Sequence, residues 1–129
     1  MYDSFCVSKV IHTSPETVFF AWLDSTAHSA FTGSKAVIDP AEGGKFTAWD
    51  GYISGQTSLI EASKRIVQSW RTTDFAQDDI DSTLELLFEP AVEGTKLTIC
   101  HSNLPEGQGN SYKSGWIDYY FEPMGKYFE

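Results

Sequence analysis

Three histidines and two cysteines are the residues of this chain best suited to bind a metal or attack an electrophile. Their spacing argues against both. His12, His28 and His101 lie far apart, and no HxH or HExxH unit sets two imidazoles on one face, so metal ligation is not expected. Cys6 and Cys100 form no CxxC unit. Cys100 adjoins His101, but neighbours along a strand point to opposite faces of a sheet, so they cannot act together as nucleophile and base. A buried structural thiol is the expected role of Cys100. The carboxylates of DFAQDDID (Asp74, Asp78, Asp79 and Asp81) lack the central Gly and closing Glu of a calcium loop, which leaves a solvated charged loop. PEGQGN (105–110) has the glycines of a phosphate cradle but not GxxxxGK[ST], and Glu106 has the wrong sign for an anion site. A flexible loop at the mouth of a pocket is the expectation there. No catalytic residue, cofactor or metal is assigned.

The composition points elsewhere. Aromatic residues make up 15% of the 129 residues, enough for a large core or a lined cavity. The net charge is −9, from 18 acidic against 9 basic residues, with no basic run. Such a surface repels phosphate backbones and anionic headgroups, so neither nucleic acid nor membrane is an expected partner. No apolar stretch approaches the roughly 20 residues of a membrane span, and the first residues do not form a secretory signal. With so few cysteines, a reduced, cytoplasmic chain is expected, as monomer or homodimer. The length suits one domain, residues 1–129.

The aromatics must be positioned by elements that the pattern predicts in order. SFCVSKVIH (4–12) carries Phe5, Val7 and Ile11 on one parity and reads as a strand. Ser14 and Pro15 then supply a helix cap and a first helical residue, and the helix should stop near Asp24. A shorter helical turn over about 26–31 ends at Gly33. Six strand-like runs follow, with Asp50-Gly51 and Glu93-Gly94 marking two of the turns between them. A closing helix should begin near Asn110 or Ser111. Tyr112, Trp116, Tyr119/Tyr120 and Met124 recur along it as one buried stripe, and Pro123 should kink it. One strand, two helices, six strands and a helix have an economical solution. A curved antiparallel seven-stranded sheet wraps a long C-terminal helix, an α+β architecture.

The segments AFTGSKAVIDPAEGGKF, DGYISG, KRIVQSWR and GWIDYYFEPMGKYF occur in this order. As a set they resemble the C-terminal domain of the activator of the heat-shock-protein-90 ATPase. That family lies within the START-like, birch-pollen-allergen-like superfamily with the helix-grip fold. The resemblance runs from about Val10 to Phe128. It implies a cavity between helix and sheet, where relatives bind apolar small molecules and some catalyse cyclisation or hydrolysis. It also implies that the first and last strands are neighbours, bringing Cys6 and Cys100 into one region of the sheet. Two free thiols are expected even so, on cytoplasmic grounds. Full-length activators carry an N-terminal domain that engages the chaperone, whereas this chain starts at the first strand of the second domain, as stand-alone members do.

The residues that this fold would gather around one interior space are Trp22, Phe31, Trp49, Trp70, Phe88, Trp116 and Tyr120. The leading expectation is a non-enzymatic module holding an apolar or aromatic small molecule between sheet and helix. The alternatives are a co-chaperone-like partner of a heat-shock-protein-90 homologue and a cavity enzyme of cyclase or hydrolase type. The entrance is expected where the loop 104–114 and the segment 27–33 meet, both beside the start of the closing helix.

Overall fold

In the computed structural model, which describes residues 1–129, strand β1 (Asp3–Ile11) opens the chain and pairs with the last strand. Ser14 accepts a hydrogen bond from the Thr17 amide and starts α1 (Pro15–Leu23), which ends at Asp24. Asp24 then caps α2 (Ser25–Thr32) through the Ala27 amide, and Gly33 closes it in the left-handed conformation. Both helices follow from cap residues legible in the sequence.

Six strands follow: β2 (Val37–Ile38), β3 (Lys45–Ala48), β4 (Ile53–Glu61), β5 (Arg65–Thr72), β6 (Ser82–Ala91) and β7 (Gly94–Leu104). They form one seven-stranded sheet in the order β1-β7-β6-β5-β4-β3-β2, antiparallel throughout. One face is buried. Ile66, Gln68, Trp70 and Thr72 of β5 alternate inward, as do Ser82, Leu84, Leu86 and Phe88 of β6 and Leu97, Ile99 and His101 of β7. Irregularities in register at Asp3/Phe5 and Thr57/Leu59 help the sheet to bend. At Gly55 an added Cβ would run into the Phe46 ring and the Ser69 carbonyl, so only glycine lets the strands carry that ring across the curve.

The closing segment comprises α3 (Gly109–Trp116), a π-helical stretch (Ile117–Phe121) and α4 (Glu122–Tyr127). A π turn lies just before Pro123, where the kink is expected. The Glu122 amide bonds back to the Ile117 carbonyl, one residue further than in an α-helix. Trp116, Tyr120, Phe121 and Met124 are buried, while Tyr119 stands 61% exposed. The helix-grip architecture is therefore present, with the curved sheet around this helix. No helix is long and apolar enough to cross a membrane.

Three expectations are corrected. Segment 27–33 does not lie beside the start of the closing helix. α2 packs against α4 at its far end, with Phe31 6.2 Å from Tyr127. Only the 104–114 loop sits at the start, where Asp3 of β1 receives the Gly107 and Gly109 amides at 2.9 Å each. A carboxylate from the chain itself thus occupies the position an external anion would take, and Gly109 leaves room for it.

The other two corrections concern the cysteines. Cys6 and Cys100 are not free thiols: they are disulfide-bonded. They face each other directly across β1 and β7, with Cα atoms 4.1 Å apart, the close spacing of one kind of antiparallel pair. Nor is Cys100 buried in the core. It is half-buried on the outer face, because its inward neighbour His101 takes the other parity. The bonded pair removes the cysteine-based ground for a reducing compartment. Thiol titration of the unfolded, unreduced protein should find no free thiol. Reduction should lower stability by about 2–4 kcal/mol, because the bridge closes a loop of 94 residues. Two titratable thiols in air-exposed protein would contradict this.

Candidate functional site

The deepest part of the grip is a polar chain set in aromatic rings. Trp116 of α3 donates its indole N–H to His101 Nδ1 at 3.1 Å. His101 therefore carries its proton on Nε2 and donates it to Ser82 Oγ at 2.8 Å, and Ser82 passes its own proton to the Trp70 carbonyl at 2.6 Å. A second chain ties the helices together. His28 Nδ1 donates to the Trp22 carbonyl at 2.9 Å, which leaves Nε2 to accept the Tyr120 hydroxyl proton, also at 2.9 Å. Trp22 in turn donates to Gln68, and Gln68 to Thr57. No buried side-chain polar atom lacks a partner.

Burial decides the charge of these groups. It pulls His101 down to about 3 and His28 down to about 4, the latter against the lesser, opposing effect of its Trp22 hydrogen bond. Both rings are neutral near pH 7. Burial likewise raises the Tyr120 hydroxyl far above its ordinary value. His12 lies outside this network, on the surface near Glu93.

Packing leaves little space at the centre. The void touching Trp22, His28, Phe46 and Leu84 is only about 10 Å³, barely enough for one water. The usable space lies at the rim instead. A groove of about 320 Å³ opens between the β3–β4 hairpin, β5 and the closing helix. Trp49, Tyr52 and Ile53 form one wall, Trp70 the floor, and Tyr112, Gly115, Trp116, Tyr119 and Tyr120 the other wall. Neighbouring rings keep centroid separations of 4.7 Å (Trp116–Tyr120), 5.0 Å (Trp70–Tyr112), 5.7 Å (Trp70–Trp116) and 5.8 Å (Trp49–Tyr119).

Two local features build the mouth. The Asp50-Gly51 turn has the positive φ angles of 56° and 89° that such a hairpin requires. Trp49 before it is also left-handed, at φ 54°, an uncommon conformation for so bulky a side chain. Ala48 already faces inward, so Trp49 on regular backbone would point to the outer face. The left-handed step brings its ring to the groove instead. The second feature is a polar rim. Tyr52 donates to Asp74 at 2.6 Å, Tyr112 donates to Gln108 at 2.8 Å and contacts Thr72 at 2.7 Å, and Gln108 returns to the Asp74 carbonyl. Burial, then the Asp74 bond, pushes Tyr52 up to about 12. The acidic loop is thus ordered by its own side chains: Asp79 caps the Ala76 amide, and Asp81 binds Arg71 at 2.7 Å.

Of the seven residues gathered from the sequence, Trp49, Trp70, Trp116 and Tyr120 line the groove. Trp22 packs behind it against Trp116 and Tyr120. Phe31 lies against Trp22, His28 and Tyr127, and Phe88 against Phe19 under α1. Sequence reasoning missed Tyr52, Ile53, Tyr112, Gly115 and Tyr119 as lining residues. The Asp-Gly turn beside Tyr52 and the crowding of Tyr119 next to Tyr120 were the available signals.

A curved antiparallel sheet closed on one helix, with a lateral aromatic groove, defines a helix-grip domain. The comparisons narrow that class. A family model described as "Activator of Hsp90 ATPase homolog 1-like protein" matches residues 12–129, and the chain belongs to this family. The human activator of 90 kDa heat shock protein ATPase homolog 1 is 29% identical over 116 residues, covering 90% of this chain but 34% of that protein. The chain therefore spans about a third of the length of the curated relatives it matches. The crystal structure of an Hsp90 activator from Plasmodium falciparum superposes with a TM-score of 0.85 at 28% identity, covering 96% and 94% of the two chains. CalU16 from Micromonospora echinospora shares the fold, with a TM-score of 0.80 at 22% identity over 96% and 73% of the chains.

The buried imidazoles make stability depend on pH. Both ionise less readily in the folded chain than at the ordinary value of 6.5, so unfolding takes up protons below that pH. Stability should be complete above about pH 6.5 and fall by about 1 kcal/mol per pH unit for each ring as the pH drops towards 4. Urea titrations at high salt, which screens the repulsion within a net −9 chain, will measure it. A flat profile over that range would mean that the rings are charged inside the fold.

Proposed function

We propose that this domain is a non-enzymatic binding module whose aromatic groove holds an apolar or aromatic small molecule. The observation that carries the proposal is the groove itself, about 320 Å³ with eight of its nine lining residues hydrophobic. That volume is at the lower end of the roughly 300–1,000 Å³ typical of small-molecule sites. A ligand there would stack beside Trp116 and Tyr120, which buried hydrogen bonds already hold, so little ordering of that wall would oppose binding. The neutral fluorophore N-phenyl-1-naphthylamine should bind saturably. Trp49→Ala and Tyr119→Ala should each weaken it about five- to tenfold. Phe20→Ala, which removes an exposed ring on α1, should leave it unchanged. Absence of saturable binding would end this reading.

A second reading rests on kinship. The curated relatives are named as activators of the 90 kDa heat shock protein ATPase, so a homologue of that chaperone is the proposed protein partner. A cytoplasmic setting belongs to this reading, and there the exposed Cys6–Cys100 bridge would meet reductant. Pull-down and ATPase assays with the host's own chaperone should show association at tens of micromolar or tighter. No association and no change in turnover would remove it.

A further inference from the structure

The polarity of the groove follows from where its protons go. Of its four tyrosines, Tyr52 donates to Asp74, Tyr112 to Gln108 and Tyr120 to His28. The Trp116 N–H is likewise turned inward, to His101. The groove is therefore walled by aromatic rings with these donors turned away from it, and the face of an aromatic ring is a region of negative potential. Donating to a carboxylate also makes the Tyr52 ring more electron-rich. None of the nine basic residues lines the space, so an anionic ligand would find no partner. Asp74 accepts the hydrogen bond of the wall residue Tyr52, and its charge also acts on Tyr112. The whole chain adds a net charge of −9.

We propose that the groove is a site for a hydrophobic organic cation, an alkyl- or arylammonium seated between the Trp49, Trp70, Trp116 and Tyr119 rings with Asp74 as its counter-charge. This rests on the groove being a ligand site and specifies what it takes. Ring faces within about 6 Å of an ammonium attract it, and desolvation in a walled groove strengthens that attraction. An apolar groove without such recognition would disfavour the cation heavily, because an ammonium loses its hydration on entry.

Phenyltrimethylammonium and its uncharged isostere tert-butylbenzene separate the possibilities. Binding to the full chain is followed by tryptophan fluorescence, with calorimetry as a second readout. The cation should bind at least as tightly as the isostere, and more weakly as salt is raised. Tyr119→Leu keeps an apolar side chain at an exposed position but removes a ring, and Asp74→Asn removes the counter-charge without touching the core. Asp74→Asn should weaken the cation about fivefold and leave tert-butylbenzene within about twofold, and Tyr119→Leu should cost the cation more than it costs tert-butylbenzene. Should the isostere bind more than about tenfold tighter than the cation, the cationic assignment fails and the apolar groove stands. Should neither bind, both fail together.

Discussion

One uncharged imidazole joins the closing helix to the sheet at the centre of the grip. His101 accepts from Trp116 and donates to Ser82, so a second proton on the ring would set donor against donor at the centre of the grip. Leaving a buried polar group unpaired costs about 1–3 kcal/mol, more for a charged one. The depth and rotation of α3 on the sheet are held by that bond and by the ring contacts of Trp116 with Trp70, Trp22 and Tyr120. Because the same Trp116 forms a groove wall, the interior polar chain also sets the shape of the binding face.

A tightly packed grip has a geometric consequence. Rings that interlock around His28 and His101 fill the volume between helix and sheet, so the remaining free space moves outward to the hairpin side. There the backbone is strained at Trp49, and strain of this kind persists only where surrounding contacts over-determine it. The Asp50 amide bonds to the Lys35 carbonyl, and the Thr73 amide to the Tyr52 carbonyl, which pins the hairpin tip on both sides. The wall is anchored by backbone bonds although its tip is a turn.

Much of this could be read from residue order. Cap residues at Ser14 and Asp24, the Gly33 stop, the Asp50-Gly51 turn and the period-two runs yield the elements, and their order yields the helix-grip plan. The direction of Trp49 could not be read, because strand parity assigns it to the outer face and only a left-handed step reverses that. The pairing of Cys6 with Cys100 needed a register exact to one residue, whereas neighbourhood of the two strands fixes only the region. The place of α2 was misread because short helices are located by what they pack on, and Phe31 faces Tyr127 across a long sequence separation. The acidic loop looked merely solvated because charge counts do not reveal that Asp79 and Asp81 have local partners.

The π turn gives the closing helix one residue more than its two turns need. Trp116 and Met124 are both buried although eight positions separate them, whereas two α-helical turns take about seven. The surplus is displayed as Tyr119 at the groove mouth. A chain shorter by that single residue would lose the longer backbone step and remove Tyr119 from one wall of the groove, although Pro123 would still interrupt the ladder. Insertion or deletion at this turn is therefore a way to build or erase a ligand face without redesigning the core, and it explains why a C-terminus so rich in rings need not bury them all.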